Sequence, residues 1–249
     1  MPDYDARLVE LYDLDNPDGP DHDYVRALAD ELGAQSIVDV GCGTGLLTVS
    51  LARPGRRVVG VDPSTTMLTY AARRSGADAV TWVPGDSEAI AGGPFDLAVM
   101  SGNVSQHIPD SAWERTLSDI GSALRDGGVL VFESRNPRVR AWTTWAAAEP
   151  ATRSTDHGPL RQWMEVDEFQ PGRVLLTAYN QFADTGELVV ENVTLEFRER
   201  EQIERQLASA GFEVTHVWGD WLRTPFTADA PLMVFEARRK ERAFRTISS

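Results

Sequence analysis

Apolar runs along the chain alternate with segments whose apolar residues recur at helical spacing. Residues 37–40, 58–62 and 95–100 have the length and composition of buried strands. Residues 24–32 and 111–124 place apolar side chains every three or four positions, which predicts amphipathic helices. Strands that alternate with helices in this way indicate right-handed parallel units and an α/β fold. The same patterns predict further strands at 80–87, 129–133, 212–218 and 232–237, and further helices at 46–52, 199–210 and from 63 onward.

Between residues 137 and 198 the pattern changes. Three segments there alternate polar and apolar residues with a period of two, as antiparallel strands with one exposed face do: 160–169, 173–182 and 188–198. Turn sequences separate them, Gln170-Pro171-Gly172 and Asp184-Thr185-Gly186. A short helix is predicted at 138–148. We interpret this part as an antiparallel β insert over the ligand edge of the main sheet, acting as a substrate lid, a dimerisation surface or both.

A glycine-rich segment follows the first strand. The strand ends at Asp39, and three alternate glycines, Gly41, Gly43 and Gly45, precede a helix. Glycines at such a turn let a ligand approach the backbone closely, and this turn is the nucleotide site of open parallel sheets. A dinucleotide fold has the spacing G-x-G-x-x-G, whereas Leu46 stands here in place of the last glycine. A nicotinamide-dependent dehydrogenase is therefore the weaker alternative.

Two further predicted strands also end at acidic residues, Asp62 and Asp86. Parallel strands bring such residues to one edge of the sheet, where they can bind a nucleoside that carries hydroxyls and an exocyclic amine. At this point the chain resembles the class I S-adenosylmethionine-dependent methyltransferases. The resemblance rests on five segments in the same order: 39–45, 60–64, 85–87, 95–100 and 124–132.

The resemblance implies a Rossmann-like, doubly wound, seven-stranded sheet that is mostly parallel with an antiparallel last strand, plus the β insert. It also implies three parts: an N-terminal flap and S-adenosylmethionine-binding core at 1–136, the insert at 137–198, and a C-terminal completion of the core sheet at 199–249. Residues 1–19 then form either a solvated tail or a flap whose Tyr4 or Tyr12 faces the site.

The implied cofactor site follows the family motifs residue by residue. Asp39 lies by the amino group of the cofactor, the glycine loop by its methionine portion, Asp62 by the ribose hydroxyls, and Asp86 by the adenine amine. The complete set of implied cofactor-binding residues is Tyr12, Asp39, Gly41, Cys42, Gly43, Asp62, Pro63, Met67, Gly85, Asp86, Ser87, Ser101 and Gly102.

Catalysis has two candidate residues, His107 as a general base and Asn103 beside the methyl group. Methyl transfer from a sulfonium is mainly a task of alignment, so no single residue type is obligatory. The histidines show no metal-ligand spacing, and we expect no metal. The Asn-Pro-Pro-Tyr motif of some amine-modifying members is not repeated in Ser101-Gly102-Asn103-Val104. Four tryptophans could line an apolar acceptor pocket or pack in the core: Trp142, Trp145, Trp163 and Trp221.

The composition of the chain restricts the kinds of partner that we expect. The net charge is −14, which disfavours nucleic acid as a substrate. No apolar run is long enough to cross a bilayer, and the single cysteine, Cys42, cannot form an internal disulfide. We therefore expect a cytoplasmic enzyme that transfers a methyl group from S-adenosylmethionine to an O or N nucleophile of a small molecule, with a possible homodimer through the insert. A domain that binds S-adenosylmethionine or S-adenosylhomocysteine without catalysis is the non-enzymatic alternative.

Overall fold

The computed structural model describes residues 3–147 and 149–241. Residues 1–2 and 242–249 of the predicted first and third parts, and Ala148 of the predicted short helix, lie outside the described residues. The helices are α1 Ala6–Asp15, α2 Pro20–Glu31, α3 Leu46–Leu51, α4 Thr65–Ala71, α5 Val104–His107, α6 Asp110–Ala123 and α7 Arg200–Ser209. The strands are β1 Ser36–Val40, β2 Arg57–Asp62, β3 Val80–Pro84, β4 Phe95–Met100, β5 Leu124–Arg135, β6 Ala151–Thr155, β7 Gly158–Gln170, β8 Arg173–Phe182, β9 Leu188–Glu196, β10 Phe212–Trp218 and β11 Leu232–Arg239.

Seven strands form the main sheet in the order β10-β11-β5-β4-β1-β2-β3. Strands β1 to β5 pair in parallel, and β11 runs antiparallel to both β5 and β10. The predicted fold class is confirmed. The chain runs outward from β1 to β3 and then returns to place β4 on the other side of β1. This reversal opens a crevice at the carboxyl ends of β1 and β4, the usual ligand position in such sheets.

Both faces of the main sheet are covered, which explains why its strands are apolar without alternation. In β4, Leu97 and Val99 join the cluster that α2 and α3 cover, whereas Ala98 and Met100 join the cluster that α6 and α7 cover. Trp113 of α6 is fully buried in the second cluster, where it meets the ring of Phe132 edge-on.

The insert is a separate antiparallel sheet of four strands in the order β6-β7-β8-β9. Three were predicted. Strand β6 was missed because its sequence, Ala-Thr-Arg-Ser-Thr, has no apolar period. Helix α1 packs on this sheet through Leu11, which clusters with Leu160 and Phe182.

Two local predictions were wrong. Strand β5 begins at Leu124 rather than at the predicted residue 129, and a register shift between Leu124 and Val129 accommodates the extra residues. The helix predicted at 138–148 is two short 3-10 segments, Pro137–Val139 and Ala141–Ala147. Arg140, between them, has a φ of 50°, a left-handed conformation that an α-helix cannot contain.

Substitution of a glycine in the loop after β1 tests how tightly this edge of the sheet is packed. Gly45 has a φ of 74°, and a Cβ there would lie 2.5 Å from a ring carbon of Trp82. Gly76 has a φ of 84°, and a Cβ there would meet no atom of the described residues within 4 Å. We expect Gly45→Ala to lose about 2–4 kcal/mol of unfolding free energy, from backbone strain plus overpacking, and Gly76→Ala only about 1–2 kcal/mol. Urea denaturation measures both, and equal losses would contradict the proposed packing.

Candidate active site

A cavity of about 320 Å³ lies at the carboxyl ends of β1, β4 and β5. Its volume falls in the range of small-molecule sites. The wall is built from α1, α2, the glycine loop, the loop after β4 and the end of β5. The residues that line it are Tyr12, Asn16, Pro17, Asp21, His22, Asp39, Gly41, Cys42, Gly43, Thr44, Leu46, Leu47, Ser101, Gly102, Asn103, Glu133, Arg135, Trp221 and Leu232.

The glycine loop presents open backbone to this cavity. A Cβ at Gly43 would meet nothing within 4 Å among the described residues, and the Gly43 N–H donates to Asp62 Oδ2 over 2.8 Å. The loop is held further by Val61, whose carbonyl accepts the N–H groups of Gly41 and Cys42. Burial raises the pKa of the Cys42 thiol, so this cysteine stays protonated.

Asp39, at the end of β1, is 3% exposed. One of its oxygens accepts a 2.6 Å hydrogen bond from the Thr48 hydroxyl. Burial, with a smaller effect of nearby Asp62, raises the pKa of Asp39 to about 6, although the Thr48 bond and nearby His22 act to lower it. A cationic ligand stabilises the charged form of such a buried carboxyl, because its charge compensates for the solvation that the carboxylate lost on leaving water.

Asp62, at the end of β2, is also buried. Its two oxygens accept the N–H groups of Gly43 and Ser64, each over 2.8 Å. Burial raises the pKa of Asp62, and these two bonds oppose that rise. Each carboxylate oxygen has a second lone pair, so Asp62 can still accept hydrogen bonds from ligand hydroxyls.

The loop after β4 brings Ser101, Gly102 and Asn103 to the cavity, as predicted. Asn103 has a φ of 63°, and its side-chain Oδ1 is buried without a hydrogen-bond partner in the described part of the chain. An unpartnered buried acceptor is costly, so this atom indicates a ligand that donates a hydrogen bond.

Glu133 and Arg135, at the end of β5, are functional candidates that the sequence analysis missed. Glu133 is 3% exposed, and its Oε1 accepts the Asn103 N–H. Its Oε2 is buried, with no partner within residues 3–147 and 149–241. Burial raises the pKa of Glu133 to about 7, and nearby Asp21 contributes, while Arg135 acts the other way. An apolar strand that ends in an acid is the signal that pointed to Asp39 and Asp62, and it could have found Glu133.

Several predicted cofactor residues lie outside this cavity. Asp86 is exposed and forms a 2.7 Å ion pair with Arg115. The Ser87 hydroxyl is buried and donates to Asp119 over 2.7 Å. The main cavity is not lined by Asp62, Pro63, Met67 or Gly85 among the described residues. The cofactor roles of these residues stay predictions.

His107 lies at the end of α5 and keeps an exposed surface, outside the lining of the main cavity. The protein around it and the positive charge of Arg135 lower the pKa of the imidazole. Both effects favour the neutral form of the imidazole. Its catalytic role remains a prediction.

A second cavity of about 130 Å³ lies between α1 and the insert. Its polar wall crosses three adjacent strands: Gln162 donates to Asn180 over 2.8 Å, and Asn180 donates to Glu191 over 3.2 Å. Met67 lines this cavity, as does Tyr4. Tyr12 lines both cavities and separates them.

Helix α1 is tied to both halves of the molecule. On the insert side, Asp15 forms two 2.6 Å hydrogen bonds with Arg153, and Glu10 lies 2.8 Å from His157. On the core side, Asp13 accepts the Thr44 hydroxyl over 2.6 Å and also binds Arg74. Residues 6–15 are thus a packed helix rather than a solvated tail.

The four tryptophans considered for the acceptor pocket have three different environments. Trp221 lines the main cavity and meets Tyr24 edge-on, whereas Trp142 and Trp145 pack against Phe197. Trp163 stacks on Tyr179 in the insert.

The described residues contain no group of three or more acidic, histidine or cysteine side chains able to hold a metal ion. None of the described helices is long and apolar enough to cross a membrane.

The family model described as a methyltransferase domain matches residues 37–128, which include the glycine loop and β1 to β4. Solved structures of S-adenosylmethionine-dependent methyltransferases share the whole fold. One, from Clostridium acetobutylicum, superposes with a TM-score of 0.76 at 16% identity, covering 94% of this chain and 98% of that one. The resemblance to class I S-adenosylmethionine-dependent methyltransferases is confirmed.

Among individual relatives, glycine N-methyltransferase of Rattus norvegicus is 31% identical over 150 residues, which are 53% of this chain and 51% of that protein. The chain thus spans about half the length of the curated relatives it matches. A sugar N-methyltransferase from a Streptoalloteichus species is similar in structure, with a TM-score of 0.71 at 23% identity and coverage of 97% of both chains.

The buried acid Glu133 has a measurable effect on stability. Its folded pKa of about 7 exceeds the ordinary value of 4.5, so the unfolded chain ionises first and the folded state loses stability as pH rises from about 4.5 to 7. We expect Glu133→Gln to remove a pH-dependent loss of unfolding free energy on the order of 3 kcal/mol. Urea denaturation at pH 5 and pH 8 measures it, and an unchanged difference between the two pH values in the variant would contradict this expectation.

Proposed function

We propose that this protein transfers a methyl group from S-adenosylmethionine to a nitrogen or oxygen nucleophile of a small molecule, with nitrogen favoured. The observation that carries the proposal is the cavity of about 320 Å³ at the carboxyl edge of the sheet, where Asp39, the open backbone at Gly43, Asn103 and Glu133 meet. The matched methyltransferase domain supports the reaction class.

The chemistry of the residues present fits this cofactor. Buried Asp39 suits its ammonium group, Gly43 leaves room for its methionine portion, and Asp62 retains lone pairs for the ribose hydroxyls. When bound, S-adenosylmethionine supplies an activated methyl group on a sulfonium with a neutral leaving thioether. We propose the predicted residues Pro63, Met67, Gly85, Asp86 and Ser87 for the ribose and adenine side, where Arg115 would have to release Asp86.

The work left to the chain is alignment and exclusion of water. Helix α1, tied to the core through Asp13 and to the insert through Asp15, closes the cavity from one side. Tyr12 and Trp221 add apolar surface to its wall. These contacts support a closed site in which acceptor and methyl donor meet.

Nitrogen is favoured for two reasons. The unpartnered Oδ1 of Asn103 and Oε2 of Glu133, judged over the described residues, are both acceptors and call for a ligand with several N–H donors. The relatives include proteins named glycine N-methyltransferase and sugar N-methyltransferase. His107 is an alternative proton acceptor that the geometry supports less, since it lies outside the cavity lining.

The insert is proposed as the other wall of the acceptor site. The second cavity, with its row of Gln162, Asn180 and Glu191, shares Tyr12 with the wall of the main one and suits the polar remainder of an acceptor. A lid of this kind agrees with the predicted division into parts at 1–136, 137–198 and 199–249, which we retain as a proposal.

The direct test is calorimetric titration with S-adenosylhomocysteine. We expect wild type to bind, and Asp62→Asn to bind about 10–100-fold more weakly, because a charged hydrogen-bond acceptor is replaced by a neutral one. The matched control is Asp96→Asn: Asp96 also accepts backbone N–H groups, from Gln35 and Ser36, but it begins β4 at the opposite edge of the sheet. Absence of binding to wild type would refute the proposed function.

Turnover separates the alternatives. Release of S-adenosylhomocysteine is measured with glycine, ethanolamine and glucosamine as nitrogen acceptors, against glycerol and catechol as oxygen acceptors. Binding of the cofactor without turnover of any acceptor favours the non-catalytic alternative, in which Asn103 and His107 can be replaced without consequence. Binding of NAD or NADP in place of S-adenosylhomocysteine favours the dehydrogenase alternative.

We also propose a homodimer contact on the outer face of the insert. Trp163, Tyr179 and Val190 lie opposite one another across β7, β8 and β9 and so share a face, with the first two rings stacked at 5.0 Å. Sedimentation velocity tests this proposal. We expect a wild-type dimer that Val190→Asp disrupts and that Leu222→Asp, at an exposed apolar residue elsewhere, leaves intact. A monomeric wild type would contradict it.

The remaining proposals concern the class of acceptor and the cellular compartment. The net charge of −14 supports a small-molecule acceptor rather than a nucleic acid. The single cysteine, kept as a thiol beside the glycine loop, fits a reducing compartment, and we propose the cytoplasm.

A further inference from the structure

Glu133 is a buried acid that the alignment task of methyl transfer does not itself require. It follows directly after Phe132, which pairs with Met100 of β4, so Glu133 stands beside the loop of Ser101 to Asn103. One oxygen accepts the Asn103 N–H, and the other faces no partner in residues 3–147 and 149–241. The same is true of Asn103 Oδ1. Two adjacent residues on the cavity wall therefore each offer a vacant hydrogen-bond acceptor.

The charges around Glu133 come from several elements. Asp39 and Asp21 add negative charge from β1 and α2, while Arg135 adds positive charge from β5 itself. His22 of α2 and Tyr12 of α1 also line the cavity. Arg135 is drawn partly away, because its guanidinium donates to Gln106 Oε1 over 3.3 Å and lies 5.1 Å from the ring centre of Trp145. No direct ion pair to Glu133 is found among the described residues, so its carboxyl is free to pair with a ligand cation.

We infer that Glu133 binds the acceptor as an ammonium ion and removes its proton, with Asn103 Oδ1 orienting the same nitrogen. This inference rests on the proposed function and deepens it, since it assigns the acceptor to primary or secondary aliphatic amines. Such amines are protonated at neutral pH and carry no lone pair until they lose a proton.

The proton balance is simple. The N–H bond of the ammonium breaks, the proton moves to Glu133 Oε2, and the electron pair stays on nitrogen as the lone pair that takes the methyl group. The carboxylate becomes a neutral carboxylic acid, which the buried position tolerates better than the charged form. The acid returns its proton to solvent after the product leaves. A carboxyl whose pKa lies at about 7 is well matched to this exchange.

The first experiment measures binding without turnover. The protein loaded with S-adenosylhomocysteine is titrated with methylammonium chloride, and with tetramethylammonium chloride as the cation without N–H donors, by ligand-observed NMR. We expect wild type to prefer methylammonium, and Glu133→Gln to weaken it tenfold or more. Glu196→Gln is the matched control, since Glu196 is equally buried but lies in β9 and binds Arg173. Failure of wild type to prefer methylammonium would overturn the inference.

The second experiment follows kcat/KM with pH for the best amine acceptor of the panel. For wild type we expect a rise through the pKa of Glu133 and then a plateau. For Glu133→Gln we expect a loss of about 10²–10⁴-fold at pH 7 that shrinks steadily as pH approaches the pKa of the free amine. A merely structural role would lower the whole profile in parallel, and that result would overturn the inference.

Affinity for S-adenosylhomocysteine separates this inference from the proposed function. We expect Glu133→Gln to change it less than about threefold, within the variation of a site that keeps its other contacts. A tenfold loss would mean that Glu133 holds the cofactor, which overturns the inference and leaves the proposed function standing. Wild type that binds S-adenosylhomocysteine but methylates only hydroxyl acceptors would also overturn it.

Discussion

The structure depends on one electrostatic constraint, the burial of carboxyl groups at the carboxyl edge of a parallel sheet. Asp39, Asp62 and Glu133 lie at or near the carboxyl ends of three strands and are all nearly removed from water. Backbone N–H groups satisfy Asp62, a single hydroxyl supports Asp39, and a single backbone N–H supports Glu133. Burying acids without cations costs stability. The hydrogen bonds at this edge of the sheet therefore compensate only partly for the cost of burying the acids, and a positively charged ligand can supply the rest.

The remaining architecture follows from keeping that edge out of water. The core helices cover the faces of the sheet but leave its carboxyl edge open, so the covering must come from elsewhere. Helix α1 contributes to this covering, and it contacts the insert through Asp15–Arg153 and Glu10–His157. Asp15–Arg153 is a partly exposed ion pair, worth about 0–1 kcal/mol. This contact adds little to the apolar cluster of Leu11, Leu160 and Phe182, which also holds α1 on the insert.

Much of this edge could be predicted from sequence because its signals are local. Apolar runs that end in Asp39 and Asp62, followed by glycines, encode strand, turn and acid within a few residues. Strand β6 could not be predicted this way, since its Ala-Thr-Arg-Ser-Thr sequence is specified by pairing with β7 rather than by its own pattern. The ion pair that holds Asp86 comes from Arg115, 29 residues away. Glu133 was overlooked although its strand has the same pattern, because the family motif ends one residue earlier, at Phe132.

Tyr12 gives the two cavities a common wall. A side chain that two ligands touch from opposite sides links their binding energies, because any shift that one ligand imposes changes the space left for the other. Thermodynamic reciprocity then requires the occupants of the two cavities to change each other's affinity by the same factor. Occupancy of one cavity would then alter affinity in the other through a single aromatic ring, that of Tyr12 on α1.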